Sequence, residues 1–298
     1  MDNLLVIIAD GVLFASWLFL VAVGLTLIYG VMRILNIAHG SLYAIGAYTG
    51  AVFVITYCQK SDWLPGSYLV LLGAAISAGL VLGTLMERGV LRWFYGKEVV
   101  LQLLSTYAIF LILEDVLKLV FGVKPYYAYK PLLGAGNFII GGVNYPRYYL
   151  ILFFMAVLAG ILLWLFMNKT RFGKLVLAVI HDPEISLAMG IKIDRIYIVA
   201  FSLGAILAAL GGAFTAPMTV VVPGLAVEVI VISFAVVIIG GLGSFVGAGL
   251  GALIVGLVRS LAVHYVPELE LFTIYFVMAA VLLFRPQGLF PTKEVRKI

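Results

Sequence analysis

The chain has 298 residues, of which 64% are hydrophobic and only 11% charged, with a net charge of +5; a soluble domain carries roughly a quarter charged residues. This balance excludes an ordinary soluble domain and reads as a polytopic membrane protein, in which basic residues are first a topology signal and point to no nucleic acid partner. A single cysteine, Cys58, excludes an intrachain disulfide and a cysteine-cluster metal site, and His39, His181 and His264 are too scattered to make one.

In chain order, the opening MDNLLVIIADGVLF lacks the basic start and small-residue cleavage site of a signal peptide, so it leads into a retained helix. Apolar runs predict spans near 12–30, 40–57, 68–86, 99–121, 148–167, 196–216, 227–239, 245–261 and 269–284. Runs of about 20 apolar residues cross a core of about 30 Å, and inside it backbone polar groups must be satisfied within helices. The segment 227–239 is too short to cross alone, and Glu114, Asp115 and Lys118 shorten the fourth run. The expected fold is therefore an all-α transmembrane bundle of eight to ten spans, nine by this count, with discontinuous helices. It forms one domain over 1–298 in which 168–195 is a polar loop.

Charge orients the scheme. With the N-terminus outside, the inner segments hold Arg33, Arg88, Arg92, Lys97, the cluster from Lys169 to Arg195, and Arg285, Lys293, Arg296 and Lys297. The outer segments hold only Lys60, Lys118, Lys124, Lys130 and Arg147. The positive-inside bias places the polar loop and the C-terminus in the cytoplasm, with the lipid bilayer around the spans. The outer stretch 122–147, rich in Tyr, Pro and Gly, is expected to be structured irregular backbone, either an aromatic-belt loop or a surface for a partner.

Two interruptions lie inside apolar surroundings. RILNIAHGS sets Asn36, His39, Gly40 and Ser41 beside Arg33, and GGLGS sets Gly240, Gly241, Gly243 and Ser244 inside a second run. Paired Gly-rich interruptions in the two halves of a chain mark broken helices that line or gate a path. The competing readings are a simple cytoplasmic turn for the first and close packing by small residues for the second. Ionisable residues in or near spans, among them Glu87, Glu228 and Arg259, are expected to lie mostly near interfaces, with no acid at mid-span, which weakens an ion-coupled carrier or channel. His39 and Ser41 stand at i and i+2, so they point apart on a helix and make a poor catalytic pair, and no paired-Asp or HExxH signature supports an intramembrane enzyme.

The polar loop TRFGKLVLAVIHDPEISLAMGIKIDR, 170–195, predicts two helical pieces. The first runs around 173–180. The second is 183–189, with Asp182 as cap, Pro183 at the first position, acidic Glu184 in the first turn and Gly190 at the stop. Ile185, Ala188 and Met189 share one side, a stripe that either packs on the same protein's membrane face or docks a soluble partner. Phe172-Gly173-Lys174 is no phosphate loop, since a glycine is missing five positions earlier and Leu175 stands where Ser or Thr belongs. Any nucleotide chemistry must come from another subunit, and no cofactor is expected in this chain.

VGLTLIYGVMRILNIAHGSLYAIGAY (23–48), the 170–195 loop, GGLGSFVGA (240–248) and RPQGLF (285–290), in this order and spacing, resemble the inner-membrane permeases of high-affinity branched-chain amino acid ABC importers. The resemblance runs from about residue 11 to 290. It implies an importer subunit, not itself an enzyme, in a bacterial or archaeal plasma membrane. It also implies a second related permease, two cytoplasmic ATPase subunits that hydrolyse the ATP, and an extracytoplasmic solute-binding protein. Carried over by position, Asp182, Pro183, Glu184, Ala188 and Gly190 become the ATPase-coupling element. The cargo is a branched-chain or other neutral amino acid or a related small solute.

Overall fold

The computed structural model describes residues 2–290; the basic residues Lys293, Arg296 and Lys297 of the orientation argument lie outside the described residues. The chain is a helical bundle. α1 (Asp2–Met32), α2 (His39–Lys60), α3 (Leu64–Gly89) and α4 (Val99–Phe121) come first, with one 3₁₀ turn at Leu91–Phe94 before α4. A short α5 (Lys130–Gly134) and the strands β1 (Asn137–Ile140) and β2 (Val143–Pro146) precede α6 (Tyr148–Lys169), α7 (Arg171–His181) and α8 (Pro183–Ala188). Then come α9 (Ile193–Thr215), α10 (Leu225–Gly240), α11 (Phe245–Tyr265) and α12 (Glu270–Phe284).

Among the described residues eight helices are long and apolar enough to cross a membrane. The ninth apolar helix, α10, has 16 residues and spans about 24 Å. All nine expected segments are helical, and the one expected to be too short is the short one. Residues 122–147 depart from the expectation of irregular backbone. They carry α5 and an antiparallel hairpin in which Phe138 pairs with Tyr145. Gly141 and Gly142, with φ of 55° and 80°, make the two-residue turn whose positive φ values match strand twist.

The core is built around α9. Its stretch GAILAALGGAF (204–214) carries glycines and alanines small enough for three neighbours to approach at backbone distance. A methyl group added at Gly24 of α1 would lie 2.6 Å from the Gly204 carbonyl oxygen, and one at Gly79 of α3 would lie 2.5 Å from Ile206 Cα. Gly46 of α2 presses on the Ala209 backbone, and Gly212 on the Tyr43 carbonyl. α10 and α11 form a second close pair, with Gly240 against Gly247. α12 is almost wholly exposed and lies at the periphery.

Two glycines of α3 separate packing from propensity. Gly79→Leu must overpack the α3–α9 seam and is expected to cost about 1–3 kcal/mol. Gly73 has open space within 4 Å, so Gly73→Ala should be neutral or stabilising by up to about 1 kcal/mol. Unfolding of the two variants in mixed detergent micelles, followed by circular dichroism, checks the contrast; equal midpoints would count against it.

Candidate functional site

The first interruption starts at Arg33, a non-glycine residue with φ of 56°, which turns the chain sharply off the end of α1. Residues 34–38 then run back along α1, so that α2 begins well inside the bundle. His39, its first residue, lies 3.0 Å by Nε2 from the carbonyl oxygen of Val21, which precedes Met32 by about 16 Å of helix. A carbonyl only accepts, so Nε2–H donates and Nδ1 is the unprotonated nitrogen. That Nδ1, both polar atoms of the Asn36 amide and the Ser41 hydroxyl are buried without a hydrogen-bond partner. Thr26 of α1 and Ser233 of α10 share this condition. Each such group costs about 1–3 kcal/mol if nothing satisfies it.

Gly40, next to His39, lets α2 meet α10: its Cα faces the Ala226 carbonyl and Ile230. The start of α10 therefore sits beside the start of α2, and the connection 216–224 dips into the bundle to reach it. Val221 and Tyr126 exchange backbone hydrogen bonds of 3.0 and 3.1 Å across this dip, and Gly224, with φ of 93°, turns the chain into α10. Nearby, Thr215 donates to the Gly211 carbonyl at 2.9 Å, so the Tyr43 hydroxyl is the donor in its 2.5 Å contact with Thr215. Pro217 and Pro223-Gly224 are turn signals in the sequence, but they do not reveal that the connection runs inward.

Gly240, Gly241, Gly243 and Ser244 occupy a different place from the Asn36–Ser41 group. They form the turn between α10 and α11, at the level of Gly30, near the end of α1. Gly241 and Gly243 take φ of 104° and 80°, and Ser244 caps α11 by accepting from Gly247 N at 3.1 Å. The two interruptions singled out in the sequence thus stand apart; the pair that meets is Gly40 with the start of α10. Glu114 also departs from expectation, because it is buried in α4 with Oε1 unpartnered.

The polar loop sits at the same end as Gly30. Thr170 caps α7 by accepting from Gly173 N at 2.9 Å, and Val176 and Val179 bury one side of α7. Asp182 Oδ1 accepts from Ile185 N at 2.9 Å, with Pro183 and Glu184 in the first turn. Gly190, at φ 82°, closes α8: its N–H reaches the Leu187 carbonyl and Ile191 N–H reaches the Ser186 carbonyl, the two bonds of a Schellman stop. Only Ser186 of α8 is buried. Ile185, Leu187 and Met189 are 60%, 63% and 78% exposed, and Ala188 is exposed too. The stripe is therefore not buried against the protein's own membrane face.

Immediately after this loop, α9 is tied to the end of α3. Arg92 donates to Asp194 at 2.6 Å, and Tyr95 donates to the buried Glu87 carboxylate at 2.6 Å while its ring packs edge-on against Tyr197 at 4.9 Å. Burial and the Glu87 carboxylate hold the Tyr95 hydroxyl well above its usual range, so it stays a donor. No spacing rule pointed to this cluster.

A family model described as branched-chain amino acid transport system, permease component, matches residues 7–284. The high-affinity branched-chain amino acid transport system permease protein BraD of Pseudomonas aeruginosa is 27% identical over 98% of this chain and 97% of its own. LivH of Escherichia coli strain K12, a protein of the same description, is 26% identical over 97% of this chain and 96% of its own. Among solved structures, PsaBC from Streptococcus pneumoniae in complex with Fab aligns with 92% of this chain and 89% of its own at 10% identity, with a TM-score of 0.45.

The Tyr95 cluster yields a paired expectation. Tyr95→Phe leaves the buried Glu87 carboxylate without its donor and should cost about 1–3 kcal/mol. Arg92→Ala breaks an exposed ion pair and should cost less than about 1 kcal/mol. Thermal midpoints of the purified variants check the order, and an Arg92 variant the less stable of the two would reverse it.

Proposed function

The chain belongs to the family of branched-chain amino acid transport system permease components, and from that premise we propose how this transmembrane permease works. It forms half of a translocation pore with a second homologous permease. Two cytoplasmic ATPase subunits bind beneath it and hydrolyse the ATP, and an extracytoplasmic solute-binding protein delivers a branched-chain or other neutral amino acid. In this reading the N-terminus is outside, and the α8 end and the C-terminus face the cytoplasm of a bacterial or archaeal cell. The whole chain is one transmembrane domain that contributes no nucleotide site.

The observation that carries the reading is α8. A six-residue helix in isolation is far too short to persist, since helix nucleation is costly. Here it is fixed at both ends by Asp182 and Gly190 while three large apolar side chains point into solvent. A rigid apolar knob on a polar loop is what a groove in a soluble partner accepts. Asp182, Pro183, Glu184, Ala188 and Gly190 shape this coupling element, and Ile185, Leu187 and Met189 supply its contact. α9 starts three residues after Gly190, so displacement of the knob is passed to the most buried helix of the bundle and, through Asp194 and Tyr197, to α3.

Asn36, His39, Gly40 and Ser41 are the path candidates at depth, closed off in this conformation. Their unpartnered polar atoms are satisfied when the path opens and water or cargo reaches them, so the closed state carries a cost that partner binding can tip. Gly240, Gly241, Gly243 and Ser244 belong to the moving inner rim.

Gly190→Val forces a β-branched residue into φ 82° and should reduce ATPase co-purification and transport several-fold while the protein stays in the membrane. Affinity capture from the native membrane with subunit masses, alongside solute uptake, decides it; unchanged capture and uptake would sink the coupling assignment. Leucine at Gly241 or Gly243 should abolish uptake and leave ATPase capture intact, and normal uptake by those variants would reduce the turn to packing.

A further inference from the structure

At the hairpin end of the bundle, α1, α11 and β2 border an open cavity of about 340 Å³, within the range of small-molecule sites, about 300–1,000 Å³. Asp10 and Arg259 both line it, from facing helices, without forming an ion pair with each other. Both sit inside otherwise apolar helices, where a charge must face protein or water. The Arg259 guanidinium is held in place by Glu270 at 2.5 Å and by the Phe14 ring, 4.1 Å from its centroid. Only one of its nitrogens is used by Glu270, and a guanidinium offers five donors in a fixed fork. Tyr145 lines the same cavity and is 6% exposed; burial and the neighbouring Asp10 carboxylate push its hydroxyl up to about 12, so it remains a donor beside Asp10.

One wall of the cavity thus carries the Asp10 carboxylate, the other the Arg259 guanidinium, paired with Glu270 yet with donors to spare, and the space between is lined by aromatic and apolar surface. That arrangement is complementary to a zwitterion carrying an ammonium and a carboxylate on one carbon and an apolar side chain. We propose that this cavity is an entry site for the neutral amino acid, with Asp10 receiving its ammonium and Arg259 its carboxylate. The inference rests on the transport reading above, in whose orientation the hairpin end faces outside. The cavity also adjoins the closed interior: Trp17 lines it and lies 5.8 Å from Tyr43, the residue bonded to Thr215.

The test uses the assembled transporter in lipid nanodiscs without binding protein, and saturation-transfer NMR with L-leucine as the probe. Two one-headed analogues compete: 4-methylpentanoate, which lacks the ammonium, and 3-methylbutylamine, which lacks the carboxylate. Losing one charged partner should weaken competition about tenfold or more for each analogue. Asp10→Asn should erase the preference for leucine over 4-methylpentanoate, and Arg259→Gln the preference over 3-methylbutylamine. Should Arg259→Gln fail to assemble, Asp10→Asn decides alone. Analogues competing as well as leucine, a preference surviving in the variants, or no transfer from leucine to a complex that retains its ATPases would each overturn the assignment. Failure of the transport reading is distinct and appears first, as a wild-type chain that captures no ATPase, and the assignment would fall with it.

Discussion

Backbone-to-backbone contact along α9 is the constraint on which the other features depend. In a bilayer there is little hydrophobic drive for one helix to leave lipid for another, so association needs surfaces that come close enough for dispersion and weak polar contacts to accumulate. Gly204, Ala205, Ala208, Ala209, Gly211 and Gly212 provide that surface, and Gly24, Gly46 and Gly79 answer it from α1, α2 and α3. Because α9 is held on three sides, α2 can begin in the interior: its first turn is clasped between Val21 of α1 and the start of α10, with Gly40 making the fit.

The same packing fixes α9 at both of its ends. Its first residues carry the Asp194 and Tyr197 links to the Arg92–Tyr95 turn, and α8 precedes it by a few residues. Under the coupling role proposed for α8, a push there would reach α1, α2 and α3 together. At its far end, Thr215 is bonded to Tyr43, whose ring packs against Trp17 of the outer cavity.

Legibility followed the range of the interaction responsible. The α7–α8 element was readable residue by residue because caps and stops act over three or four positions: Asp182 to Ile185, Gly190 to Leu187. The spans were readable from apolar runs for the same reason. Depth along the membrane was not readable, because it is set by contacts between remote segments. Asn36–Ser41 and Gly240–Ser244 both read as interruptions of apolar runs, yet one is clasped against mid-α1 and the other turns a hairpin near its end. The dip at 216–224 was visible as turn residues but not as a dip. The Gly141-Gly142 turn was overlooked within a tyrosine-rich stretch, and the direction faced by Ile185 and Met189 needed coordinates, since amphipathic spacing alone cannot say which neighbour, if any, covers a stripe.

After α12 the chain comes back to the α10–α11 turn. Leu289 N–H reaches the Ile239 carbonyl, Phe290 N–H reaches the Gly240 carbonyl, and Gly288 lies with its backbone against that of Gly241. The carbonyls left open by the end of α10 are therefore closed by residues some fifty positions later in the chain. An evolutionary consequence is that 240–244 and 285–290 form one inherited unit: a side chain acquired at either glycine, or an insertion that lengthens the tail before Gly288, must be answered at the other site. Homologues that diverge here should diverge at both places together, and grafting one segment between relatives without its counterpart would leave the end of α10 with open carbonyls.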